Sequence, residues 1–290
     1  MALAPPPSGR PQRLAYLGTP ELAVPPLRAL VEAGFDVALV VTQPDRRRGR
    51  GSGTSPSPVK AAALELGIPV THEVDDVLDA GVDLGVVVAF GQIIRPHVLE
   101  RVPMVNVHFS LLPRWRGAAP VERAILAGDD RTGVDLMAVE EGLDTGGIYA
   151  RVEVPIGPDD TLEELRARLV EEGTRLLVDT LSTGLPEPRP QEGEPVYAAK
   201  IDPTELQIDW RRPAVEVHRL VRIGGAWTTV AGKRLKIWRT NVPPRGDGPV
   251  APAGDGPVEL VEVQPEGKPR MAARAWVNGA PWSSGEPLGT

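Results

Sequence analysis

The sequence predicts an α/β fold, a parallel sheet covered by helices, followed by a small β barrel. Near the N-terminus the pattern runs strand, turn, helix, strand, and these strands are apolar on both faces. Such strands are buried on both faces, which is typical of parallel sheets. A proline-rich break later in the chain is followed by short strand-like runs. We therefore expect two domains within the 290 residues.

The composition narrows the class of protein. The chain has no cysteine, which excludes disulfides, thiolate nucleophiles and cysteine zinc sites and favours a cytoplasmic location. Residues 1–12 are rich in proline and lack the apolar core of a secretory signal, so we expect a disordered tail there. No apolar run reaches the length of a membrane span.

The charge is uneven along the chain. The formal net charge is −7, yet residues 200–240 carry nine Lys and Arg against four acidic residues. A local basic face on an acidic protein suits an anionic partner. A solvated charged surface explains the same counts equally well.

Apolar runs and turn residues predict the elements of the first domain. Arg13–Leu17 is a strand, residues 18–20 (Gly-Thr-Pro) form a turn, and Glu21–Ala33 fits a helix before the strand Val37–Thr42. The turn is not G-x-G-x-x-G, so no dinucleotide-binding fingerprint is present. Further elements are predicted at Val59–Leu66, Pro69–Val70, Leu84–Ala89, Pro120–Ala127, Val134–Val139, Tyr149–Val154 and Thr161–Leu181. The last of these is a helix that begins with a capping box.

Gln43–Pro58 is predicted to be a flexible loop, because glycine, serine and proline are frequent in it. The loop contains four arginines, Arg46, Arg47, Arg48 and Arg50. Two interpretations remain open, a flexible arm that contacts phosphate groups and a basic insert without a partner.

The second domain follows a linker. Gly184–Pro195 contains four prolines and two glycines, which predicts a connecting segment. Beyond it, Trp227–Val230, Leu235–Trp238 and Val258–Val263 are typical of short strands, with a hairpin turn at residues 231–233. We therefore expect a catalytic domain over residues 13–184, a linker over 185–204 and a small β barrel over 205–290.

The candidate catalytic residues follow predicted strand ends. If Val105–Phe109 ends a strand, Asn106 and His108 project from the same face, because side chains alternate along a strand. Asp144 lies in a later Leu-Asp-Thr-Gly turn. An imidazole, a carboxamide and a carboxylate supply a proton acceptor, a hydrogen-bond donor and an orienting charge, which suits acyl-type transfer through a tetrahedral intermediate. Phe90–Ile94 follows another apolar strand, where α/β sheets bind ligands.

Each candidate also has a structural interpretation. A single histidine is more often structural than catalytic, and Asp144 alone would be a turn residue. His108 differs from the other three histidines because it shares its face with Asn106 after an apolar strand. No H-E-x-x-H motif or close His/Asp set predicts a metal site, and no G-x-x-x-x-G-K-[ST] motif predicts a phosphate-binding loop.

Several segments resemble the folate-dependent formyltransferases. Residues 106–108 (Asn-Val-His), residues 110–113 (Ser-Leu-Leu-Pro) and Asp144 are similar to the catalytic motif of that family. The resemblance covers nearly the whole chain, in order, on both sides of the linker, and is greatest to members that act on initiator tRNA. The matching segments are LGTPELAVPPL (Leu17–Leu27), VTQPDRRRGRG with SPSPVK (Val41–Lys60), SLLPRWRGAAP (Ser110–Pro120), EEGLDTG (Glu140–Gly146), AAKID with IDW (Ala198–Trp210) and GAWTTVAGKRLKIWR (Gly225–Arg239).

The resemblance implies a Rossmann-like formyltransferase domain followed by a barrel of OB type. It implies transfer of a formyl group from 10-formyltetrahydrofolate to the amino group of methionyl initiator tRNA in translation initiation. In that scheme His108 handles protons, Asn106 stabilises the oxyanion, and Asp144 orients His108 and bound water. The implied folate-binding residues are Phe90, Gly91, Gln92, Ile93, Ile94, Ser110, Leu111, Leu112 and Pro113. The implied tRNA-binding residues are Arg46, Arg47, Arg48, Arg50, Lys233, Arg234 and Lys236.

Two other functions remain open on the sequence. An amino-sugar (nucleotide-sugar) N-formyltransferase is disfavoured by the arginine loop and by the segment Arg114–Pro120. A folate- or RNA-binding protein without catalysis is disfavoured by the intact Asn106, His108 and Asp144. For the leading function we expect a monomer that needs no metal and has no membrane contact.

Overall fold

The computed structural model describes residues 3–47 and 54–289. Its strands in this part of the chain are β1 (Arg13–Gly18), β2 (Asp36–Val41), β3 (Arg46–Arg47), β4 (Thr54–Ser55), β5 (Val70–Thr71), β6 (Leu84–Val88), β7 (Met104–His108), β8 (Arg114–Gly117), β9 (Arg131–Ala138), β10 (Ile148–Pro155), β11 (Val196–Ala198), β12 (Trp227–Val230), β13 (Lys233–Asn241), β14 (Val250–Pro252), β15 (Pro257–Pro265) and β16 (Met271–Ala272). Its helices are α1 (Val24–Glu32), α2 (Pro58–Glu65), α3 (Pro96–Leu99), α4 (Pro120–Ala127), α5 (Leu162–Thr183), α6 (Ala214–Arg222) and α7 (Ala273–Val277). Across the described residues, none of these helices has the length and apolar character needed to span a membrane.

The large sheet has seven strands in the order β10-β9-β7-β6-β1-β2-β5. Five of them, from β5 to β7, run parallel, whereas β9 and β10 extend one edge in antiparallel pairing. From β1 the chain builds the sheet first on the β2 side and then on the β6 side. This reversal is the Rossmann-like arrangement that the sequence predicts, and ligands bind beyond the strand ends beside such a reversal.

Burial explains the parallel strands. All five residues of β6 are buried, and Leu14, Tyr16 and Leu84 are fully enclosed. On one face α5 lies close to the sheet, since a Cβ on Gly173 would come within 3.1 Å of Val134 and 3.3 Å of Val107. Because side chains alternate along β7, the residues on either side of Val107 project from the opposite face. That face is where the candidate site forms.

The second sheet is antiparallel. Its strands run β12-β13-β15-β14, and β16 also pairs with β15. Its buried face forms a core with α6 and α7, in which Ile237, Leu260 and Val263 are fully enclosed. The antiparallel sheet of the second domain is thus confirmed. The pairings of the described residues leave β12 and β14 at the edges, so an OB-like barrel stays a prediction.

The chain divides into two compact units that are interleaved in sequence. Unit 1 comprises Met1–Pro120, Arg131–Pro155 and Arg166–Ala198, and unit 2 comprises Val121–Asp130, Ile156–Leu165 and Ala199–Thr290. Within unit 1, the segment predicted to be a disordered tail carries contacts. Ala4 donates its N–H to Leu99 O at 2.9 Å, and the Arg10 guanidinium lies 4.5 Å from the Phe35 ring centroid.

Some predicted boundaries are wrong for local reasons. The predicted helix Glu21–Ala33 begins as a 3-10 turn, and α1 starts only at Val24, with proline at its first turn. In the predicted loop Gln43–Pro58, the backbones of β3 and β4 pair with each other, and α2 begins at Pro58. The arginines Arg48 and Arg50 lie outside the described residues.

Candidate active site

His108 is buried at the end of β7, with both ring nitrogens facing oxygen atoms. Its Nε2 lies 3.0 Å from the carbonyl oxygen of Trp115, and its Nδ1 lies 3.7 Å from Asp144 Oδ2. A carbonyl oxygen only accepts hydrogen bonds, so Nε2 carries a hydrogen in this arrangement. The proton-accepting position of the neutral ring is therefore Nδ1, on the side of the carboxylate. The Trp115 backbone that makes this contact has a left-handed φ of 67°.

Asp144 approaches His108 from the turn between β9 and β10. Its Oδ2 accepts a hydrogen bond of 2.8 Å from the backbone N–H of Gly117. The Asp144 backbone has a φ of 52°, which is disfavoured for a residue with a side chain. Two residues later, a Cβ on Gly146 would collide with the carbonyl oxygen of Ala138, so only glycine fits there.

Asn106 shares the face of His108, as the sequence predicts. Both residues lie on β7, and the Val107 side chain between them points toward α5. The Asn106 side chain is half-buried and makes no hydrogen bond to any of the described residues. Its carboxamide thus keeps its donors and acceptor for a ligand.

The segment Ser110–Pro113 is held in place from beneath. Leu112 donates its N–H to Asp135 Oδ2 at 2.8 Å, and its carbonyl oxygen accepts from Arg151 Nη2 at 2.7 Å. The Ser110 hydroxyl donates to Arg114 O at 2.7 Å. Asp135 is fully buried and is the residue paired with His108 in the β7–β9 ladder. Burial raises the pKa of Asp135, and the Arg151 guanidinium opposes that rise.

Phe90–Ile94 lies beyond the end of β6, beside the end of β7. Val87 pairs with Asn106, so both strands deliver their carboxyl ends to the same edge of the sheet. The carbonyl oxygen of Phe90 accepts from Gln43 Nε2 at 3.1 Å and from the Thr19 hydroxyl at 3.2 Å. Ile93 is 89% exposed, which leaves an apolar side chain open beside the site.

Two of the predicted tRNA-binding residues of unit 2, Arg234 and Lys236, lie on the open face of the second sheet. Arg234 stacks on Trp227 with its guanidinium 4.0 Å from the ring centroid, and Lys236 Nζ lies 5.7 Å from the Trp238 ring. Lys233 is exposed at the start of β13. Three other cations of residues 200–240 are paired with carboxylates. These pairs are Arg211 with Asp209, Arg212 with Glu216 and Arg239 with Glu164.

Sequence reasoning missed several residues of the site. Gln191 lies in the predicted linker, yet its Nε2 donates to the carbonyl oxygens of Asp144 and Gly146, both at 2.8 Å. Its Oε1 accepts from Arg116. β8 and β11, which the sequence also missed, pair in parallel next to His108. Asp135 offered a signal, since it is a charged residue inside the apolar strand Val134–Met137.

No metal cluster is found among the described residues, because no group of three or more His, Asp or Glu side chains has suitable spacing. The site presents an imidazole, a carboxamide, a carboxylate and backbone groups. Such a set matches proton transfer and oxyanion stabilisation.

Two family models match the chain. The formyl transferase model matches residues 12–181, and the formyl transferase C-terminal domain model matches residues 200–281. Among curated relatives, the methionyl-tRNA formyltransferase of Symbiobacterium thermophilum is 45% identical over 301 residues, covering 92% of each chain. That of Ruegeria pomeroyi is 40% identical, covering 95% of this chain and all of the relative.

Solved structures share the fold at low identity. An N-formyltransferase from Helicobacter canadensis, solved with folinic acid and dTDP-3-aminofucose, gives a TM-score of 0.67 at 19% identity, over 86% of this chain and 98% of its own. Methionyl-tRNA formyltransferase from Clostridium thermocellum gives a TM-score of 0.60 at 18% identity, over 86% of this chain and 99% of its own. The family models and the relatives together place the chain in the formyl transferase family, among the methionyl-tRNA formyltransferases.

Proposed function

We propose that this protein transfers a formyl group from 10-formyltetrahydrofolate to the amino group of methionyl initiator tRNA. The observation that carries the proposal is the convergence of Asn106, His108 and Asp144 at one end of the parallel sheet. His108 Nδ1 faces Asp144 at 3.7 Å, and the half-buried carboxamide of Asn106 lies on the same strand face. We choose methionyl-tRNA as the acceptor because the curated relatives are named methionyl-tRNA formyltransferases.

The chemistry divides among these three side chains. When the neutral amine attacks the formyl carbon, a C–N bond forms and the nitrogen becomes positively charged. His108 takes the proton from that nitrogen, and the Asp144 carboxylate stabilises the resulting imidazolium. Asn106 donates a hydrogen bond to the oxygen of the tetrahedral intermediate. When the intermediate collapses, the bond to the folate nitrogen breaks, and that nitrogen receives the proton from His108.

The donor site is proposed beyond β6 and beside Ser110–Pro113. A flat, partly polar folate ring system needs an apolar surface and hydrogen-bonding backbone groups. Phe90–Ile94 offers both, through the exposed side chain of Ile93 and the peptide groups around Gly91. These features support the nine proposed folate contacts at residues 90–94 and 110–113.

The acceptor tRNA is proposed to dock on a basic-aromatic face of unit 2, formed by Trp227, Arg234, Lys236, Trp238 and Arg270. The Arg270 guanidinium lies 3.3 Å from the Trp238 ring centroid. Aromatic rings hold these cations at the surface by cation–π contact while leaving their charge available. Lys and Arg side chains neutralise phosphate groups, which supports this face and the proposed role of Lys233.

The arginine loop is proposed to contact the acceptor end of the tRNA. Arg46 and Arg47 belong to β3, while Arg48 and Arg50 lie outside the described residues. The loop concentrates four positive charges on a chain whose net charge is −7. Such a local cluster attracts an anionic partner, which supports the proposed contact with tRNA. Replacing all four by alanine should raise the KM for charged tRNA and flatten its dependence on salt.

Further features belong to the same proposal. We place the catalytic domain at residues 13–184, the linker at 185–204 and an OB-like second domain at 205–290, bounds that lie near those of the two family matches. We also propose a cytoplasmic monomer that works without a metal ion.

The decisive experiment uses 10-formyltetrahydrofolate as the donor and compares two acceptors, charged methionyl initiator tRNA and a nucleotide-linked amino sugar, with a reaction that contains no acceptor. Formyl transfer to the tRNA alone is the expected result. Transfer to the amino sugar would replace the proposed function by the sugar N-formyltransferase alternative. Folate or tRNA binding without transfer to either acceptor would indicate a non-catalytic binding protein.

A further inference from the structure

A side chain from the proline-rich segment 184–195 reaches the turn that carries Asp144. Gln191 Nε2 donates to Asp144 O and to Gly146 O, each at 2.8 Å. The same segment also pairs with the start of β10, because Arg189 and Ile148 exchange backbone hydrogen bonds of 2.8 and 2.9 Å. The segment thus follows the Asp144 turn at close range instead of only connecting two domains.

The other end of the Gln191 carboxamide is equally engaged. Its Oε1 accepts from Arg116 Nε at 3.1 Å and from Arg116 Nη2 at 2.6 Å. Arg116 lies on β8 between Trp115 and Gly117, the residues whose backbones contact His108 and Asp144. Both donors and the acceptor of one amide therefore join the two segments that hold the candidate catalytic pair.

The Asp144 turn needs such support. Its φ of 52° is disfavoured for a residue with a side chain, and a disfavoured backbone persists only when surrounding contacts hold it. In this conformation of the turn, the carboxylate lies 3.7 Å from His108 Nδ1 and 2.8 Å from the Gly117 backbone nitrogen.

We infer that Gln191 is a positioning residue for the reaction: it sets the direction of the Asp144 carboxylate toward His108 by tying the Asp144 turn to β8. This inference rests on the proposed function, since Asp144 and His108 are assigned to catalysis there. Gln191 touches neither ring nitrogen of His108, so its effect passes through the turn and through Arg116.

Two variants distinguish the donor function of the Gln191 carboxamide from its acceptor function. Gln191→Glu keeps the acceptor for Arg116 but replaces the donor with a carboxylate that faces two carbonyl oxygens. Gln191→Met keeps the length and removes both functions. Glu192→Gln is the matched control, because Glu192 is the exposed neighbour in the same segment. Both Gln191 variants should lower kcat by about 10- to 100-fold, the range expected when a catalytic group is misplaced. The KM for each substrate should change by less than about twofold.

A second measurement needs no turnover. The chain has four histidines, so ¹⁵N-labelled imidazole resonances can be assigned with a His108→Ala variant. The Nδ1 resonance of His108 should shift in both Gln191 variants and stay unchanged in Glu192→Gln. Wild-type kcat together with an unmoved His108 resonance would overturn the inference, as would a loss of thermal stability with kcat per folded enzyme unchanged. If the wild-type enzyme transfers no formyl group, the proposed function fails. The Nδ1 resonance of His108 in the Gln191 variants still tests whether Gln191 positions Asp144 toward His108.

Discussion

Arg151 and Asp135 form a two-point ion pair under the Ser110–Pro113 segment, with Nε–Oδ1 and Nη2–Oδ2 distances that are both 2.7 Å. Each partner also bonds one side of the Leu112 backbone, so the pair fixes a loop as well as a charge. Asp135 has no exposed surface, and removing Arg151 would leave a buried carboxylate with the Leu112 N–H as its remaining hydrogen-bond donor and no countercharge from Arg151.

Arg151→Met should therefore destabilise unit 1 at pH 8, by less than the roughly 3–5 kcal/mol that breaking a fully buried ion pair costs, because the Arg151 side chain is 33% exposed. The pKa of Asp135 is already raised from 3.8 by burial. Without Arg151 the pKa of Asp135 should rise further. The destabilisation caused by Arg151→Met should therefore disappear once the pH falls below the pKa of Asp135 in the folded state, because the carboxyl is then neutral.

Thermal unfolding at pH 8 and pH 5 measures this difference. The loss in Tm relative to wild type should be larger at pH 8, and Asp135→Asn added to Arg151→Met should remove the pH dependence. Equal losses at both pH values would contradict the role assigned to the buried carboxylate. The donor KM should also rise in Arg151→Met, since Leu112 loses a bond.

His108→Ala should lower kcat by about 100-fold or more, because the proposed mechanism assigns the proton transfers to this imidazole. Folate binding, measured by calorimetry with a non-reactive analogue, should persist, since the proposed donor contacts lie elsewhere. His97→Ala is the control: His97 is exposed and pairs with Asp75. Near-wild-type turnover in His108→Ala would remove this residue from the mechanism.

The triple variant Arg234→Ala, Lys236→Ala and Arg270→Ala should weaken tRNA binding and reduce its salt dependence. Each lost phosphate contact lowers the slope of log Kd against log salt by roughly 0.7 for single strands and roughly 0.9 for B-form DNA, so a loss of similar size is expected for tRNA. Arg211→Ala provides a control, since Arg211 is exposed and paired with Asp209. An unchanged slope in the triple variant would exclude the basic-aromatic face from tRNA binding.

His218 should make unit 2 sensitive to acid. Burial lowers the pKa of His218 from its ordinary 6.5, against the opposing effects of Pro158 O and Asp159. Its ring is held at 2.8 Å from Thr240 Oγ1, at 3.1 Å from Pro158 O and at 3.2 Å from Asp159 Oδ1. Arg222 adds a positive charge nearby, and Arg245 pairs with Asp159. A lowered pKa means that the contribution to stability is present above pH 6.5 and is lost as the pH falls through the pKa of the folded state.

Tryptophan fluorescence measures this effect, because five of the six tryptophans belong to unit 2. The free energy of unfolding should fall between pH 7 and pH 5 in the wild type and fall less in His218→Gln. Parallel pH profiles for the two proteins would show that His218 does not account for the acid sensitivity.

Local sequence patterns were enough to predict much of the fold. Apolar runs predicted β1, β2, β6 and β7, and the Thr161–Glu164 capping box predicted the start of α5, where both reciprocal bonds form. The face shared by Asn106 and His108 followed from strand alternation alone. These features depend on neighbours within a few residues.

The missed features depend on contacts between distant parts of the chain. β8 and β11 are four and three residues long, and they pair with each other in a two-stranded sheet. Gln191 lies 47 residues from Asp144 in sequence, in a segment whose prolines indicate only a connector. Trp115 and Gly117 both have a positive φ. A tryptophan in the sequence gives no indication of such a backbone conformation.

The hairpin formed by β9 and β10 carries Asp135 on one arm, Arg151 on the other and Asp144 in its turn. Side chains along a strand change face with every residue, so one amino acid inserted within residues 136–138 would turn Asp135 away from Leu112 or displace the Asp144 turn. Surface hairpins usually tolerate changes in length. In this family member the length of residues 135–151 is constrained from both ends, and natural variation should appear there as substitution without insertion or deletion.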